Sequence, residues 1–463
     1  MTPTRWPYAL GVVWPAVAAA IGAQPGDPTS QHLRDDMRRL LERVETLERQ
    51  RDADKARIAD LEHRLADLER APAAPSGPDA TPPPGAQTPA IPPPPTAPGA
   101  LGLTWSGGAP NALNPEITVF IDAGASVSSR GSNNALNRFN LREVEIDLRS
   151  AVSPSADGVL IIAIGEEIDQ DVFGDVTIDT AVDVEEGYIN FHSLPHDLSL
   201  KVGKFRNVFG RNNLLHTHDL PQVTRPLAVD AFLGPEGLMT TGASLSWLVP
   251  NPWDKYIEAT LDVVNADGGD ESPILADPNA ENPAIVAHVK FFDDVGDTAS
   301  LELGGTYLFG RASADADSDA NVFGFDLTYH WVDPDPSRFK SILLQGEAFW
   351  AANDVDRGFA GIRRDHTFGV YGFAQYQLHR DWYVGLRGDY TEFPGDAHRG
   401  AGDADVAFSP YITWYINEFL RVRLEYQRRR FEMFGRSGDE DAVFLQFTSV
   451  IGAHPPHPYW VNR

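Results

Sequence analysis

The chain has 463 residues, with 66 acidic against 38 basic side chains, a formal net charge of −28 and no cysteine. That acidity argues against a surface built to neutralise nucleic-acid phosphates, and a chain without thiols has no disulfides, zinc–thiolate centres or thiol nucleophiles. After the N-terminus no apolar run is long enough for a helical membrane span, but a membrane β-barrel stays open, because its alternating polarity hides from hydropathy windows.

Residues 1–23 read as an export signal: Arg5 gives the positive start, Tyr8 to Ile21 an apolar run, and Ala20-Ile21-Gly22-Ala23 a small-residue cleavage region. The next segment, residues 30–70, predicts an α-helical coiled coil. Leu33, Leu40, Leu47, Leu61 and Leu68 hold one heptad position and Met37, Val44, Ile58 and Leu65 the other. Such a seam is buried only against a partner helix. Arg51 and Asp54 interrupt it, as register-fixing polar residues do. Residues 71–114 change character, with Pro82-Pro83-Pro84 and Pro92-Pro93-Pro94-Pro95 among Ala, Gly and Thr, and read as an extended linker.

From residue 115 to 463 the period becomes two, the signature of strands. Sixteen are expected, starting near Ile117, Leu141, Val159, Ala181, Leu198, Gly242, Tyr256, Ile285, Leu301, Val322, Ile342, Phe368, Tyr383, Val406, Arg421 and Val443. The fifteenth is the clearest: Leu420, Val422, Leu424 and Tyr426 alternate with Arg421, Arg423, Glu425 and Gln427. Connections after the even strands are tight, such as His379-Arg380-Asp381 and Asn417-Glu418, whereas most after the odd strands are long and polar. Short turns at one end and long loops at the other, with Trp331, Trp350, Trp382, Trp414, Tyr329, Tyr376 and Tyr390 near strand ends on the apolar parity, predict a 16-stranded antiparallel transmembrane β-barrel in the outer membrane. A soluble sandwich would have to bury the charged parity in a solid core.

The stretch Leu198-Ser199-Leu200-Lys201-Val202-Gly203-Lys204-Phe205-Arg206-Asn207-Val208-Phe209-Gly210, and Asp262-Val263-Val264-Asn265-Ala266-Asp267-Gly268 further on, resemble the phosphate-selective porin O and P family of Gram-negative outer membranes. The resemblance is diffuse over about 115–450. It implies a trimeric 16-stranded barrel passing small hydrophilic solutes, with anions such as phosphate preferred. Two departures stand against it: the inward parity is mixed rather than basic, and the chain runs on past the last strand through His454 and His457.

The segment after the fifth strand is the longest such loop, and by strand count it is the loop that folds into 16-stranded porins. Its constriction candidates are Arg206, Arg211, His216, His218, Asp219, Arg225 and Asp230, with Leu214, Leu215, Leu227, Phe232 and Leu233 as wall anchors. In a poorly screened constriction a few such charges outweigh the net charge. The pore-lining candidates are Lys201, Lys290, Arg387, Arg421 and Arg423 as bases, facing Glu258, Asp262, Glu145, Asp147, Glu302, Asp326, Glu347, Asp389 and Glu425. Arg387, Arg421 and Arg423 opposite acids of strands two and seven either set a transverse field or form wall salt bridges.

Weaker signals are an incomplete calcium-loop start at Asp315, Asp317 and Asp319, acids at Glu166, Glu167, Asp169, Asp171 and Asp175 suited to lipopolysaccharide, and the His454/His457 pair. None is expected to be a metal centre, no cofactor is expected, and no catalytic elbow, phosphate loop or zincin motif occurs. The expected partners are outer-membrane lipid and lipopolysaccharide, small solutes, two further copies of the chain and, through the periplasmic coiled coil, peptidoglycan. The competing reading is a tether between outer membrane and cell wall, with the barrel as anchor.

Overall fold

The structure, a computed structural model, describes residues 115–130, 135–170, 176–267, 274–277, 281–312, 318–356, 361–394, 402–433 and 436–452. The expected leader, coiled coil and linker lie outside the described residues, as do Asp171, Asp175, Asp315, Asp317, His454 and His457.

Sixteen strands follow one another: β1 (Glu116–Ser128), β2 (Arg138–Ser153), β3 (Ala156–Gln170), β4 (Val176–Leu194), β5 (Leu198–Arg206), β6 (Met239–Leu248), β7 (Tyr256–Val264), β8 (Ala284–Val295), β9 (Ala299–Arg311), β10 (Asp319–Val332), β11 (Ser341–Asp356), β12 (Ile362–His379), β13 (Trp382–Thr391), β14 (Asp405–Asn417), β15 (Leu420–Met433) and β16 (Arg436–Gly452). Each pairs antiparallel with its sequence neighbours, and β1 with β16 closes the barrel. Closure leaves no sheet edge, the condition for satisfying every strand's backbone polar groups in lipid. The expected strands are all present. The largest difference is β16, which begins at Arg436 rather than near Val443. There the hairpin projects beyond the apolar belt with both faces polar, so alternation fades while the β15 ladder continues, Arg430 opposite Asp439 and Met433 opposite Arg436.

Exposure shows which parity faces out. Leu424 and Tyr426 are 45% and 38% exposed, while Arg421, Arg423 and Glu425 on the alternate positions are buried. Trp382 and Trp414 stack at 5.3 Å beside the short-turn end. At the long-loop end Trp350 lies 5.5 Å from Phe323. The outer surface is thus an apolar belt with an aromatic ring at each rim, the profile of a lipid-facing barrel.

Two irregularities interrupt the wall at neighbouring places. Between β1 and β2 the register moves from Asp122–Glu143 to Ala123–Leu141, which makes Arg142 an extra residue. Between β3 and β4 it moves from Ile161–Glu186 to Ile162–Val184, which makes Glu185 extra. Bulges re-aim side chains: consecutive Glu185 and Glu186 are both buried, which strict alternation forbids.

The interior is filled mainly by one segment, 207–238, between β5 and β6. It contains two single turns of 3-10 helix, Asn212–Leu214 and Thr217–Asp219, and a short helix α1 (Leu227–Leu233). Its apolar side chains enter a core with the inward faces of β8 to β12: Phe209 stacks on Phe349 at 5.6 Å, and Phe232 meets the same ring at 5.3 Å.

Candidate functional site

The segment 207–238 descends from the long-loop end and crosses the barrel. Its course is fixed where main-chain groups of an irregular stretch find wall side chains, since buried backbone polar groups need partners. Near its start, Arg211 N and Asn212 N donate to Glu347 Oε1 at 3.0 and 2.6 Å. In its middle, Val223 N and Thr224 N donate to Glu425 Oε2 at 2.6 and 3.0 Å, and the Thr224 hydroxyl donates to Glu425 Oε1 at 2.6 Å. At the start of α1, Leu227 N donates to Asp389 Oδ1 at 3.0 Å.

The basic wall residues hold the segment's carbonyls. Arg387 donates to Thr224 O at 2.6 Å and pairs with Asp389 at 2.8 Å. Arg421 donates to His218 O and Arg423 to Gln222 O. Arg421 stands one residue beyond the start of β15, so the segment reaches almost to the short-turn end. These three arginines face inward as expected, but they lie buried under the segment rather than along open water. The acids expected opposite them are engaged elsewhere. Glu258 pairs with Lys290 at 3.2 Å, and Asp262 accepts from Asn207 Nδ2 at 3.0 Å. Segment 207–238 therefore comes between the two charged walls, with Arg387 ion-paired to Asp389 and Arg421 and Arg423 holding segment carbonyls.

The other expected residues divide in the same way. Arg206, fully buried, pairs with Glu185 at 2.8 Å and donates to Glu236 O. Arg211 reaches Glu302 at 2.6 Å. Arg225 staples the segment to itself, donating to Pro235 O at 2.9 Å and Asn212 Oδ1 at 3.2 Å. Asp230 remains exposed on α1. Half-buried Lys201 lies over the Tyr188 ring at 4.5 Å.

His216, His218 and Asp219 enter a pocket that sequence reasoning did not assemble. His216 Nδ1 is 2.6 Å from Glu185 Oε2 and 3.1 Å from Glu145 Oε2. His218 Nδ1 is 3.4 Å from Glu145 Oε2 and 3.9 Å from Glu143 Oε2, and its other nitrogen is 3.6 Å from Asp219. Its ring stacks on Phe120 at 3.9 Å. Glu145 lies within 3.4 Å of both imidazoles, so the two rings and the acids around them form one charged network. The signals in the sequence were Glu143-x-Glu145, Glu185-Glu186 and His216-x-His218. What brings them together is the pair of bulges and the path of the segment.

Wall glycines make room for the anchoring rings. A side chain begun at Gly324 would place its Cβ 2.5 Å from Phe209 Cε1. Gly324→Val is expected to loosen the segment by about 1–3 kcal/mol, as overpacking does. Hydrogen exchange will register this as faster exchange confined to 207–238, with the strand ladders unchanged.

No family description matches the sequence. An uncharacterised protein of Aquifex aeolicus is 27% identical over 360 residues, covering 71% of this chain and 72% of that one. Among solved structures, the outer-membrane channel DcaP of Acinetobacter baumannii superposes with a TM-score of 0.50 at 12% identity, over 73% of this chain and 97% of that one. The anion-selective porin of Comamonas acidovorans gives 0.46 at 8%, over 73% and 99%. In fold class the chain is a closed 16-stranded antiparallel barrel with an inserted segment. DcaP, an outer-membrane channel, has the same fold.

Proposed function

We propose that the protein is an outer-membrane porin, a passive diffusion channel for small hydrophilic solutes whose narrow section is set by residues 207–238. The observation that carries this reading is a closed barrel with an apolar, aromatic-rimmed exterior and a segment pinned across its interior by charged wall residues. A barrel used only as an anchor has no need of such a segment, whereas a channel needs a narrow section to select what passes. A preference for anions, phosphate among them, is the finer part of the proposal. Arg387, Arg421 and Arg423 set three positive charges on the stretch of wall that holds the segment, the sign that favours an anion in the narrow section. The resemblance to phosphate-selective porins points the same way. A homotrimer is proposed on the flat outward strip where Gly346 pairs with Gly372 and Gly372 with Gly388, which lets another barrel approach closely.

The test is single-channel recording of the refolded full chain in a planar bilayer under a potassium chloride gradient. Small discrete steps, grouped in threes, with a reversal potential of anion-selective sign are expected. A folded barrel that never conducts would overturn the channel reading in favour of the tether. Cation-selective steps would remove only the finer part.

A further inference from the structure

We infer that Glu143, Glu145 and Glu185 of the wall, with His216 and His218 of the inserted segment, form a binding site for a divalent transition-metal ion of the zinc, cobalt or manganese kind. The ion would clamp the segment to the wall. The inference concerns a binding site and does not depend on whether the barrel conducts.

The donors fall into two groups of three, Glu143–Glu145–His218 and Glu145–Glu185–His216. In each, one ligand atom per residue lies within 4.8 Å of the others, and all five residues are buried. Glu145 is common to both, so a second ion would sit beside the first with that carboxylate between them. Donor atoms around a metal with bonds near 2.0–2.2 Å lie roughly 3–4 Å apart. The 3.1 Å from His216 to Glu145 and the 3.4 Å from His218 to Glu145 already fall in that range. Mixed imidazole and carboxylate donors suit borderline transition ions, whereas calcium and magnesium favour oxygen alone.

A second observation points to a ligand independently of the cluster's composition. Glu143 is 5% exposed, yet neither of its oxygens receives a hydrogen bond. Its nearest imidazole nitrogen is at 3.9 Å, too far for one. A buried carboxylate without hydrogen bonds is costly, and this one is aimed into the cluster. Three carboxylates share the pocket, and Arg206 engages Glu185 alone. With both imidazoles neutral, as ligation requires, a dication takes the place of their two protons in balancing the carboxylates and gives Glu143 a contact. The flanking groups resemble an outer shell that orients ligands: Arg206 on Glu185, Phe120 stacked on the His218 ring, and the bulge that turns Glu185 inward.

The test uses the full chain in detergent, stripped with a chelator and titrated with Co²⁺ and Zn²⁺. One or two equivalents of Co²⁺ should bind saturably with visible d–d absorption, and Zn²⁺ should displace them. Bound Zn²⁺ should slow amide exchange around 216–219. Glu145→Gln, and separately His216→Ala with His218→Ala, should weaken uptake more than about 100-fold, beyond the usual loss for an outer-shell partner. His288→Ala, a buried inward histidine outside the cluster, should bind as the parent does. Heat-modifiable migration on gels, checked for every variant, shows whether the barrel has folded. Uptake no greater than that of the double histidine variant would overturn the site and leave the imidazoles as protonated partners of the carboxylates. Uptake unchanged in a folded Glu145→Gln variant would overturn it as well.

Discussion

Replacing residues 208–237 with a short Asn-Gly turn is expected to raise the single-channel conductance roughly three- to tenfold, because a 16-stranded barrel without an inserted segment leaves an aqueous channel. The geometry permits the excision. Arg206 pairs with Met239 across β5 and β6, and Asn207 N donates to Leu238 O at 3.1 Å, so the two ends already lie side by side as in a hairpin. Folding should survive, because water replaces the segment and hydrates the wall charges it covered. Arg387, Arg421, Arg423, Glu347 and Glu425 would then line the lumen, and selectivity should follow bulk salt more closely as screening improves. The measurement is conductance and reversal potential in bilayers, beside the barrel's circular dichroism. An excised barrel with unchanged conductance would show that residues 207–238 do not set the narrow section.

Arg387→Ala is expected to cost about 3–5 kcal/mol in the attachment of the segment, the range for removing one partner of a buried ion pair. Arg387 lies 2.8 Å from Asp389 and 3.6 Å from Glu425, and it also donates to Thr224 O and Thr224 Oγ1. Removing it leaves two buried carboxylates, both of which position the segment: Glu425 through Val223 and Thr224, Asp389 through Leu227. They will repel each other, draw in water and release the middle of the segment. Exchange of the Val223 and Thr224 amides should become rapid and the current should flicker between levels. Arg387→Ala combined with Glu425→Ala should cost less than the sum of the two single changes, since the residues share one network. Strict additivity would place Arg387 outside that network.

How much of this was legible in the sequence follows from how local each feature is. The β15 alternation of Leu420, Val422, Leu424 and Tyr426 with Arg421, Arg423, Glu425 and Gln427 forces a two-faced strand, and its outer face is the exposed one. Repeated through sixteen strands with short and long connections in turn, that pattern permits few closed arrangements. The inserted segment was also legible as the longest connection of its kind, with anchoring leucines and Phe232. Its path was not. It depends on which wall carboxylates meet backbone amides far away in sequence, such as Glu425 with Val223 and Glu347 with Asn212.

The arginines show where local reading stopped. Their parity placed them inward, but parity says nothing of what lies opposite, and a buried carbonyl can hold a guanidinium as well as water or a carboxylate can. The metal-type cluster was less legible still. Glu143 and Glu145 lie far along the chain from His216 and His218, and two one-residue bulges, at Arg142 and Glu185, rotate the wall at that place. A bulge changes which face a side chain takes while hardly altering the strand's composition. The sequence by itself thus determined strand number, the outer face and the inserted connection, because each rests on the period of a single strand or the length of a single loop. Only the tertiary structure decided which buried charges meet, because curvature, register shifts and the course of one segment bring those distant residues within bonding distance.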